Sequence, residues 1–190
     1  MRPLIIAIAI ATVAIACIMS FESTLFDRSF YKGEFKKLGI YESEGNFLPD
    51  NMTETVLLFY ENKIPDLNLS YMTPAETSHM KGVKTRVRYA INIRRLLIGI
   101  WLVLVGLLLW RGNIANSLGR AYQASGIIMF IVIAVFGLIG LFFDQFFSVF
   151  HEVVFPEGNY LFPASSVLLR VYTFQLQFDV FLVTIFKSLL

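Results

Sequence analysis

The chain has 190 residues, of which 56% are hydrophobic and 16% are charged, and its formal net charge is +2. This composition is too apolar for an ordinary soluble domain of that length and predicts one small membrane domain over residues 1–190. The small net charge and the lack of a nucleic-acid motif argue against a nucleic-acid partner. Cys17 is the only cysteine, which excludes an internal disulfide and a cysteine metal cluster.

The N-terminal segment predicts a first membrane span over residues 3–19. These residues are apolar throughout, and Arg2 places the N-terminus inside by the positive-inside rule. A cleaved signal peptide and a lipoprotein signal ending at Cys17 are the alternatives. Ala14 is a poor residue for the first lipobox position, and the aromatic sequence after Ser20 is typical of a continuing helix. An uncleaved anchor is therefore favoured.

Residues 21–78 are the most polar part of the chain and predict a small α+β cap. Phenylalanines recur near helical spacing over residues 22–38, which predicts an amphipathic helix close to the membrane surface. A short strand at residues 40–41 is expected to pair with residues 66–71, where apolar positions alternate. A short helix is expected over residues 52–60, capped by the asparagine that precedes it.

The residues from Thr73 onward predict the N-terminus of a long helix. Thr73 is expected to cap the helix and Pro74 to occupy its first position. The Glu76 carboxylate can then reach back to the N–H of Thr73, which is the capping-box arrangement. The helical pattern continues into an apolar run over residues 96–110, the second predicted span. His79, one of only two histidines, falls in the second turn.

Two further spans are predicted, over residues 121–143 and 168–189. A loop over residues 145–166 is punctuated by prolines and a glycine. Three polar residues share one face of the fourth span: Tyr172, Gln175 and Asp179. An ionisable group at membrane depth needs a polar partner or water. This face is therefore expected to point into the bundle, where it either lines a cavity or pairs with another helix.

The second histidine, His151, follows the third span much as His79 precedes the second. The two positions lie at nearly equal chain lengths from a hairpin predicted at residues 111–120. If both arms are continuous helices, each histidine stands about 45 Å from the hairpin at ~1.5 Å per residue. That distance exceeds the ~30 Å apolar core of a bilayer. The two imidazoles are therefore predicted at the same height, just outside the same membrane surface.

The cap is expected on the extracytoplasmic side of a plasma membrane that the chain crosses several times. Arg2, Arg111 and Arg120 favour a cytoplasmic location for the opposite face by the positive-inside rule. Six basic residues between Lys81 and Arg95 oppose this orientation. The rule applies weakly to long loops, however, and these residues end a long segment.

The histidine pair is the main candidate for chemistry. Imidazoles with near-neutral pKa values can accept and donate protons at working pH. No serine lies in a GxSxG context and Cys17 lies within the first span, so covalent catalysis has no evident nucleophile. The pair would then move protons for a substrate's own nucleophile. Two interpretations compete: the histidines are structural, or they hold a haem or a metal, although metal-binding spacings such as HExxH are absent.

Three stretches of the sequence carry a resemblance to a known family. They are FDRSFYKGEFKKLGIY from Phe26, ETSHMKGVK from Glu76, and FSVFHEVVFPEGNYLFPASSVLLRVY from Phe147. In combination, and with the 72-residue spacing of the histidines, they resemble the lipoprotein intramolecular transacylases, a family of small four-span membrane proteins. The resemblance extends over nearly the whole chain. The sequence departs from the family pattern at Gly82, where an acidic residue is usual, and at Thr173, where a proline is usual.

The resemblance implies an activity that the residue pattern alone does not name. Members move the sn-2 acyl chain of a diacylglyceryl-modified lipoprotein from the glyceryl oxygen to the α-amine of its own N-terminal cysteine, which gives the lyso form. The implied catalytic residues are His79 and His151, one a general base toward the amine and the other a general acid or hydrogen-bond donor to the ester oxygens. The implied partners are a diacylated lipoprotein N-terminus and membrane lipid, with no cofactor and no metal. The alternative is a non-catalytic membrane protein that binds lipoproteins or lipid.

Four further residues are candidates for supporting the pair. Glu76 lies three residues before His79, and Glu152 lies beside His151. Asp144 shares a helix face with His151 but lies about 10 Å from it along the axis. An interfacial carboxylate bound to a basic group or to water is therefore the alternative for Asp144. Tyr31 either lines the headgroup site or packs in the core of the cap.

Overall fold

The computed structural model describes residues 2–110, 114–158 and 160–189. In this part of the chain there are nine helices and no strand. The helices are α1 Arg2–Leu25, α2 Arg28–Lys37, α3 Ile40–Glu44, α4 Phe47–Tyr60, α5 Pro74–Trp110, α6 Ile114–Leu141, α7 Phe143–Val154, α8 Val167–Val171 and α9 Phe174–Lys187. The predicted mainly α fold class is confirmed.

Three helices are long and apolar enough to cross a membrane: Arg2–Leu25, Pro74–Trp110 and Asn116–Leu141. The first three predicted spans overlap these helices. Apolar side chains along them are exposed, among them Leu102 and Phe130, as expected for surfaces that face lipid. Residues 111–113 of the predicted hairpin lie outside the described residues, and α6 already begins at Ile114.

The fourth predicted span is not one helix. The chain leaves helical geometry at Tyr172, and Thr173 then caps α9 by accepting a hydrogen bond from Leu176 N–H at 3.3 Å. At ~1.5 Å per residue the 14 residues of α9 extend about 21 Å, which is less than a ~30 Å hydrocarbon core. A hydroxyl residue ahead of an apolar run is a helix-start signal, and it divides the segment that hydropathy alone joins.

Chain contacts divide the protein into two compact units, and the first comprises Met1–Ser23, Ala90–Leu141 and Val183–Leu190. Within it, Ile5 and Ile8 of α1 pack with Leu108 and Ala121 in a small apolar core. The Trp101 indole N–H donates to the Thr12 hydroxyl at 2.9 Å. The Arg94 guanidinium forms an ion pair with the Glu22 carboxylate at 2.9 Å.

The second unit comprises Thr24–Tyr89 and Phe142–Leu182, and it contains both histidines. Its core is larger and rich in aromatic rings, with Phe35, Met52 and Leu176 fully buried. The alternating residues of the predicted strand do pack against this core: Leu67, Leu69 and Tyr71.

Several predicted elements of the cap are wrong in detail. The strand expected at residues 40–41 is the start of helix α3, and residues 66–71 form turns and irregular chain. An irregular segment that buries one side shows the same alternation of apolar residues as a strand. The strand prediction, which used alternation alone, is therefore wrong. The single helix expected over residues 22–38 is interrupted because Asp27 caps α2, accepting from Phe30 N–H at 3.1 Å.

The helix expected over residues 52–60 begins earlier, at Phe47. Asn51 therefore lies inside α4 and does not cap it. Its side-chain oxygen instead accepts a hydrogen bond from the Tyr71 hydroxyl at 2.8 Å.

Candidate active site

The first turn of α5 positions His79. Thr73 N–H donates to the Glu76 carboxylate at 2.7 Å, and Glu76 N–H donates to the Thr73 hydroxyl oxygen at 3.2 Å. The predicted capping box is therefore confirmed. The other Glu76 carboxylate oxygen accepts from the Ser166 hydroxyl and from Leu168 N–H at 3.1 Å. Glu76 is 1% exposed and ties this helix start to the chain that leads into α8.

A separate helix, α7, carries His151. The arm from the hairpin to His151 is two helices, because Phe142 leaves helical geometry between α6 and α7 (φ −123°, ψ 38°). Asp144, Ser148 and His151 all lie on α7, as their spacing predicts. His151 Nδ1 is 2.8 Å from the carbonyl oxygen of Phe147, one turn earlier.

The structure brings the two imidazoles together. Their ring centroids are 6.2 Å apart and their planes differ by 21°. His79 is 7% exposed, and His151 is half-buried. Two residues predicted from chain spacing to lie at equal height therefore do face each other, although one of the two helical arms is broken.

Aromatic rings enclose the pair. The Phe155 ring lies 4.6 Å from the His79 ring and 5.6 Å from the His151 ring. Phe162 contacts His79 at 5.5 Å, and Tyr160 contacts His151 at 5.4 Å. Phe162 also lines a cavity of about 460 Å³. These rings reduce the contact of the imidazoles with water, and Phe162 belongs both to this enclosure and to the wall of the cavity.

The contacts of His151 settle which of its nitrogens is basic. A carbonyl oxygen can only accept a hydrogen bond, so Nδ1 donates to Phe147 and carries the proton of the neutral ring. Nε2 then keeps its lone pair and can accept a proton. Burial lowers the pKa of His151 below its ordinary value, and this outweighs the Phe147 hydrogen bond, which raises it. The ring is therefore neutral and basic near pH 7.

The structure places the four predicted supporting residues as follows. Glu76 is committed to the four hydrogen bonds of the helix start. Asp144 and Glu152 are exposed on α7. Tyr31 is buried among Phe30, Phe35 and Tyr172, and burial raises its pKa. Tyr31 therefore lies in the core of the second unit, and a supporting role for Glu76, Glu152 or Asp144 stays a prediction.

The residues that sequence reasoning missed are the aromatic ones. Phe155 and Phe162 lie in the predicted loop and in the family-like stretch from Phe147, but aromatic residues are too frequent in this chain for any one to stand out. For a metal, the two imidazoles are the available ligands. Among residues 2–110, 114–158 and 160–189, no group of three or more histidine, cysteine, aspartate and glutamate side chains could hold an ion.

Three apolar helices of spanning length define an integral membrane protein, and its two histidine rings face each other. A sequence model of one such class, the lipoprotein intramolecular transacylase (Lit), matches residues 5–177. The chain belongs to this family, and it is an enzyme, an acyltransferase. Family membership thereby decides against the non-catalytic interpretation. No curated protein matches the sequence.

Solved structures share the fold. The membrane-integral lipoprotein intramolecular transacylase Lit from Bacillus cereus is similar with a TM-score of 0.84 at 14% identity, over 99% of this chain and 90% of that one. A histidine-to-alanine variant of the same protein matches with a TM-score of 0.80 at 13% identity, over 99% and 86%. At these identities the likeness concerns the fold alone.

Proposed function

We propose that the chain moves the sn-2 acyl chain of a diacylglyceryl-cysteine lipoprotein to that lipoprotein's own α-amine, with His79 and His151 as the catalytic residues. The observation that carries this proposal is the pair itself. The only two histidines of the chain face each other at 6.2 Å inside an aromatic enclosure. Such a pair serves a reaction in which one proton leaves a nucleophile and another group receives it.

His151 is the general base. Its Nδ1 is held by the Phe147 carbonyl at 2.8 Å, so Nε2 is the free basic nitrogen. A base must be neutral before it acts, and the lowered pKa of His151 keeps it neutral near pH 7.

His79 is the hydrogen-bond donor to the ester oxygens. A neutral imidazole carries one N–H, and a buried site makes such a donor more effective because water does not compete for it. The ring of His79 is more deeply buried than that of His151. It is therefore suited to stabilise the negative charge that develops on the carbonyl oxygen.

The reaction proceeds by attack of the free amine on the acyl carbon. A carbon–nitrogen bond forms, and His151 takes the proton that the nitrogen loses. The bond between the acyl carbon and the glyceryl oxygen then breaks, and the proton passes from His151 to that oxygen. Amine and ester belong to one molecule, so their proximity replaces a second binding event. The tethered amine also explains why the chain needs no serine or cysteine nucleophile.

The aromatic rings protect this transfer from water. Water would hydrolyse the ester and release the fatty acid, whereas the amine must be the only nucleophile at the acyl carbon. Phe155, Phe162 and Tyr160 surround the imidazoles at 4.6 to 5.6 Å. They also provide an apolar surface for the lipid part of the substrate.

The site faces the extracytoplasmic side of the plasma membrane in this proposal. Support comes from the positive-inside rule, since Arg2, Arg111 and Arg120 favour the opposite face. The chain acts as one membrane domain with spans near residues 3–19, 96–110 and 121–143. The broken segment 168–189 supplies the fourth, and its α9 would cross only a thinned part of the bilayer or end below its surface.

The test is tandem mass spectrometry of one lipoprotein's N-terminal lipopeptide, because the reaction is an isomerisation and intact mass does not change. We expect an N-acyl, mono-acylglyceryl cysteine with the unmutated protein and losses of about 10²- to 10⁴-fold in His79→Ala and His151→Ala. Glu152→Gln, exposed on the same helix, is the matched control and should retain activity. N-acyl product that persists in both histidine variants would refute the proposal.

Glutamine substitutions separate the two roles. Glutamine offers an amide N–H near the position of Nε2 but no basic nitrogen. His79→Gln should therefore exceed His79→Ala in rate by about 10-fold, since a donor is restored. His151→Gln should be no better than His151→Ala. The reverse pattern would exchange the assignments of base and donor.

A further inference from the structure

Arg86 makes an unusual set of contacts at the end of α7. Its Nε and Nη2 atoms both donate to the carbonyl oxygen of Val154, at 3.1 and 2.7 Å. Nη2 also reaches the Glu157 carboxylate at 3.3 Å, and Nη1 donates to the Gly82 carbonyl oxygen at 3.2 Å. All four contacts lie within the second compact unit. One planar side chain thus fastens α5 to the C-terminus of α7.

The Val154 carbonyl belongs to the helix end that carries His151. The last four carbonyl groups of a helix have no partner within the helix, and a cation near them is stabilising. Val154 is the last residue of α7 and lies three residues after His151. The carbonyl of His151 itself accepts from Phe155 N–H at 2.8 Å. The guanidinium therefore fixes the turn on which the imidazole of His151 stands.

The same guanidinium also packs against the Phe155 ring, which contacts both histidines. Its central carbon lies 4.5 Å from the centroid of the Phe155 ring. That ring is 3% exposed and contacts both imidazoles. A displacement of Arg86 would therefore move the Phe155 ring, which contacts His79 and His151, as well as the backbone at the end of α7.

Gly82 provides the space for this arrangement. A Cβ atom at Gly82 would lie 3.1 Å from Arg86 Nη1 and 3.4 Å from Cε1 of Phe155. The 3.1 Å contact would require the Arg86 side chain to move by a few tenths of an ångström, whereas 3.4 Å to Phe155 is at the limit of ordinary van der Waals contact. Glycine suits position 82 because the Arg86 and Phe155 side chains approach its backbone closely, and not because of its backbone conformation.

We propose that Arg86 is a positioning residue for acyl transfer, which orients His151 toward His79 by holding the end of α7 and the Phe155 ring. This role rests on the proposed role of His151 as the base. Lysine cannot replace it, because a single ammonium cannot place two donors on one carbonyl while lying flat against an aromatic ring. The geometry of the guanidinium, and not only its charge, is what the site uses.

The experiment measures kcat and KM of the purified full-length chain with a synthetic diacylglyceryl lipopeptide. In Arg86→Lys we expect kcat to fall about 10- to 100-fold, because displacements near 1 Å have effects of that order. KM should change by less than about 3-fold, because the substrate still binds. Gly82→Ala should show a smaller loss of the same kind. Arg88→Gln, at an exposed position of α5, is the control and should stay within about 2-fold.

Imidazole ¹⁵N NMR supplies a readout that does not depend on activity. The chain has only two histidines, so ¹⁵N-histidine labelling gives one pair of ring signals for each. In the unmutated protein His151 should show a single tautomer with the proton on Nδ1. In Arg86→Lys its two nitrogen shifts should move toward the average of the two tautomers, while Arg88→Gln leaves them unchanged.

The results distinguish failure of the positioning role of Arg86 from failure of the proposed function. A kcat within about 2-fold in Arg86→Lys, or an unchanged His151 signal, overturns the positioning role. If Arg86→Lys does not fold, Gly82→Ala decides by the same two readouts, and an unchanged kcat and spectrum there overturn it. If the unmutated protein transfers no acyl chain, the proposed function fails. The response of the His151 signal to Arg86→Lys still tests the contact in that case.

Discussion

Replacing Glu76 by glutamine should destabilise the protein without removing a group that takes part in the chemistry. One carboxylate oxygen accepts from Thr73 N–H at 2.7 Å and from the Thr73 hydroxyl at 2.9 Å. The other accepts from the Ser166 hydroxyl and from Leu168 N–H at 3.1 Å. Glutamine has the same shape, but one of its two terminal atoms is a donor. In either orientation that NH₂ group opposes a backbone N–H.

The magnitude follows from the bonds that are lost. A hydrogen bond to a charged group contributes about 1.5–3 kcal/mol, and a buried donor left unpaired costs about 1–3 kcal/mol. Glu76 is 1% exposed, so water cannot compensate. The hydroxyl groups can rotate and recover part of the loss, which leaves about 2–4 kcal/mol. For a chain of this length each kcal/mol lowers Tm by about 2–4 °C, and the expected decrease is about 5–15 °C.

The assay is thermal unfolding of Glu76→Gln in detergent micelles. Glu152→Gln is the matched control, because it makes the same chemical change at an exposed position of α7 and should shift Tm by no more than about 2 °C. A decrease below about 2 °C in Glu76→Gln would refute the structural role. A large loss of kcat in a folded variant with an unchanged Tm would also refute the structural role. That result would show that Glu76 takes part in the reaction.

Three further predictions concern one titration and three hydrogen bonds. Burial lowers the pKa of His151, so its NMR titration midpoint should lie below 6.5. In the window between that midpoint and about 6.5 the unfolded chain binds more protons than the folded one, so Tm should rise as pH rises through this window and be flat above about pH 7; a midpoint above 6.5 would contradict this. Asp179→Asn weakens bonds from Lys37 at 2.9 Å and Gln175 at 3.1 Å and should cost about 1–2 kcal/mol, whereas the exposed Lys36→Gln should cost nothing measurable. Trp101→Phe removes the 2.9 Å bond to Thr12 and should cost about 1 kcal/mol, and Thr12→Val should add little once that bond is gone.

Local chemistry made part of the site predictable. The Thr73–Glu76 capping box is a short-range signal, and it placed the start of α5 and the turn of His79 correctly. The juxtaposition of His79 and His151 followed from chain lengths on either side of a hairpin. The two rings do lie together, with 6.2 Å between their centroids, although the arm that carries His151 is divided at Phe142.

Contacts between distant segments were not predictable. Nothing in the sequence indicates that Glu76 would accept from Ser166 and Leu168, or that Arg86 would reach Val154, because such pairings depend on how the elements pack. The strand expected at residues 40–41 failed for a related reason, since burial against a core and pairing in a sheet produce similar alternation. The expectation of one continuous helix over residues 168–189 is wrong because hydropathy joined α8 and α9, between which Thr173 caps α9.

The bonds from Ser166 and Leu168 to Glu76 join positions 90 and 92 residues apart, and both histidines lie in the loop that they close. During synthesis the chain leaves the ribosome from its N-terminus, and His79 and His151 emerge well before Ser166. A nascent chain that ends ahead of Ser166 therefore has both imidazoles but not the bonds that anchor the start of α5. The enzyme should acquire activity only after Ser166 and Leu168 have been synthesised, and C-terminal truncations into α8 should abolish it.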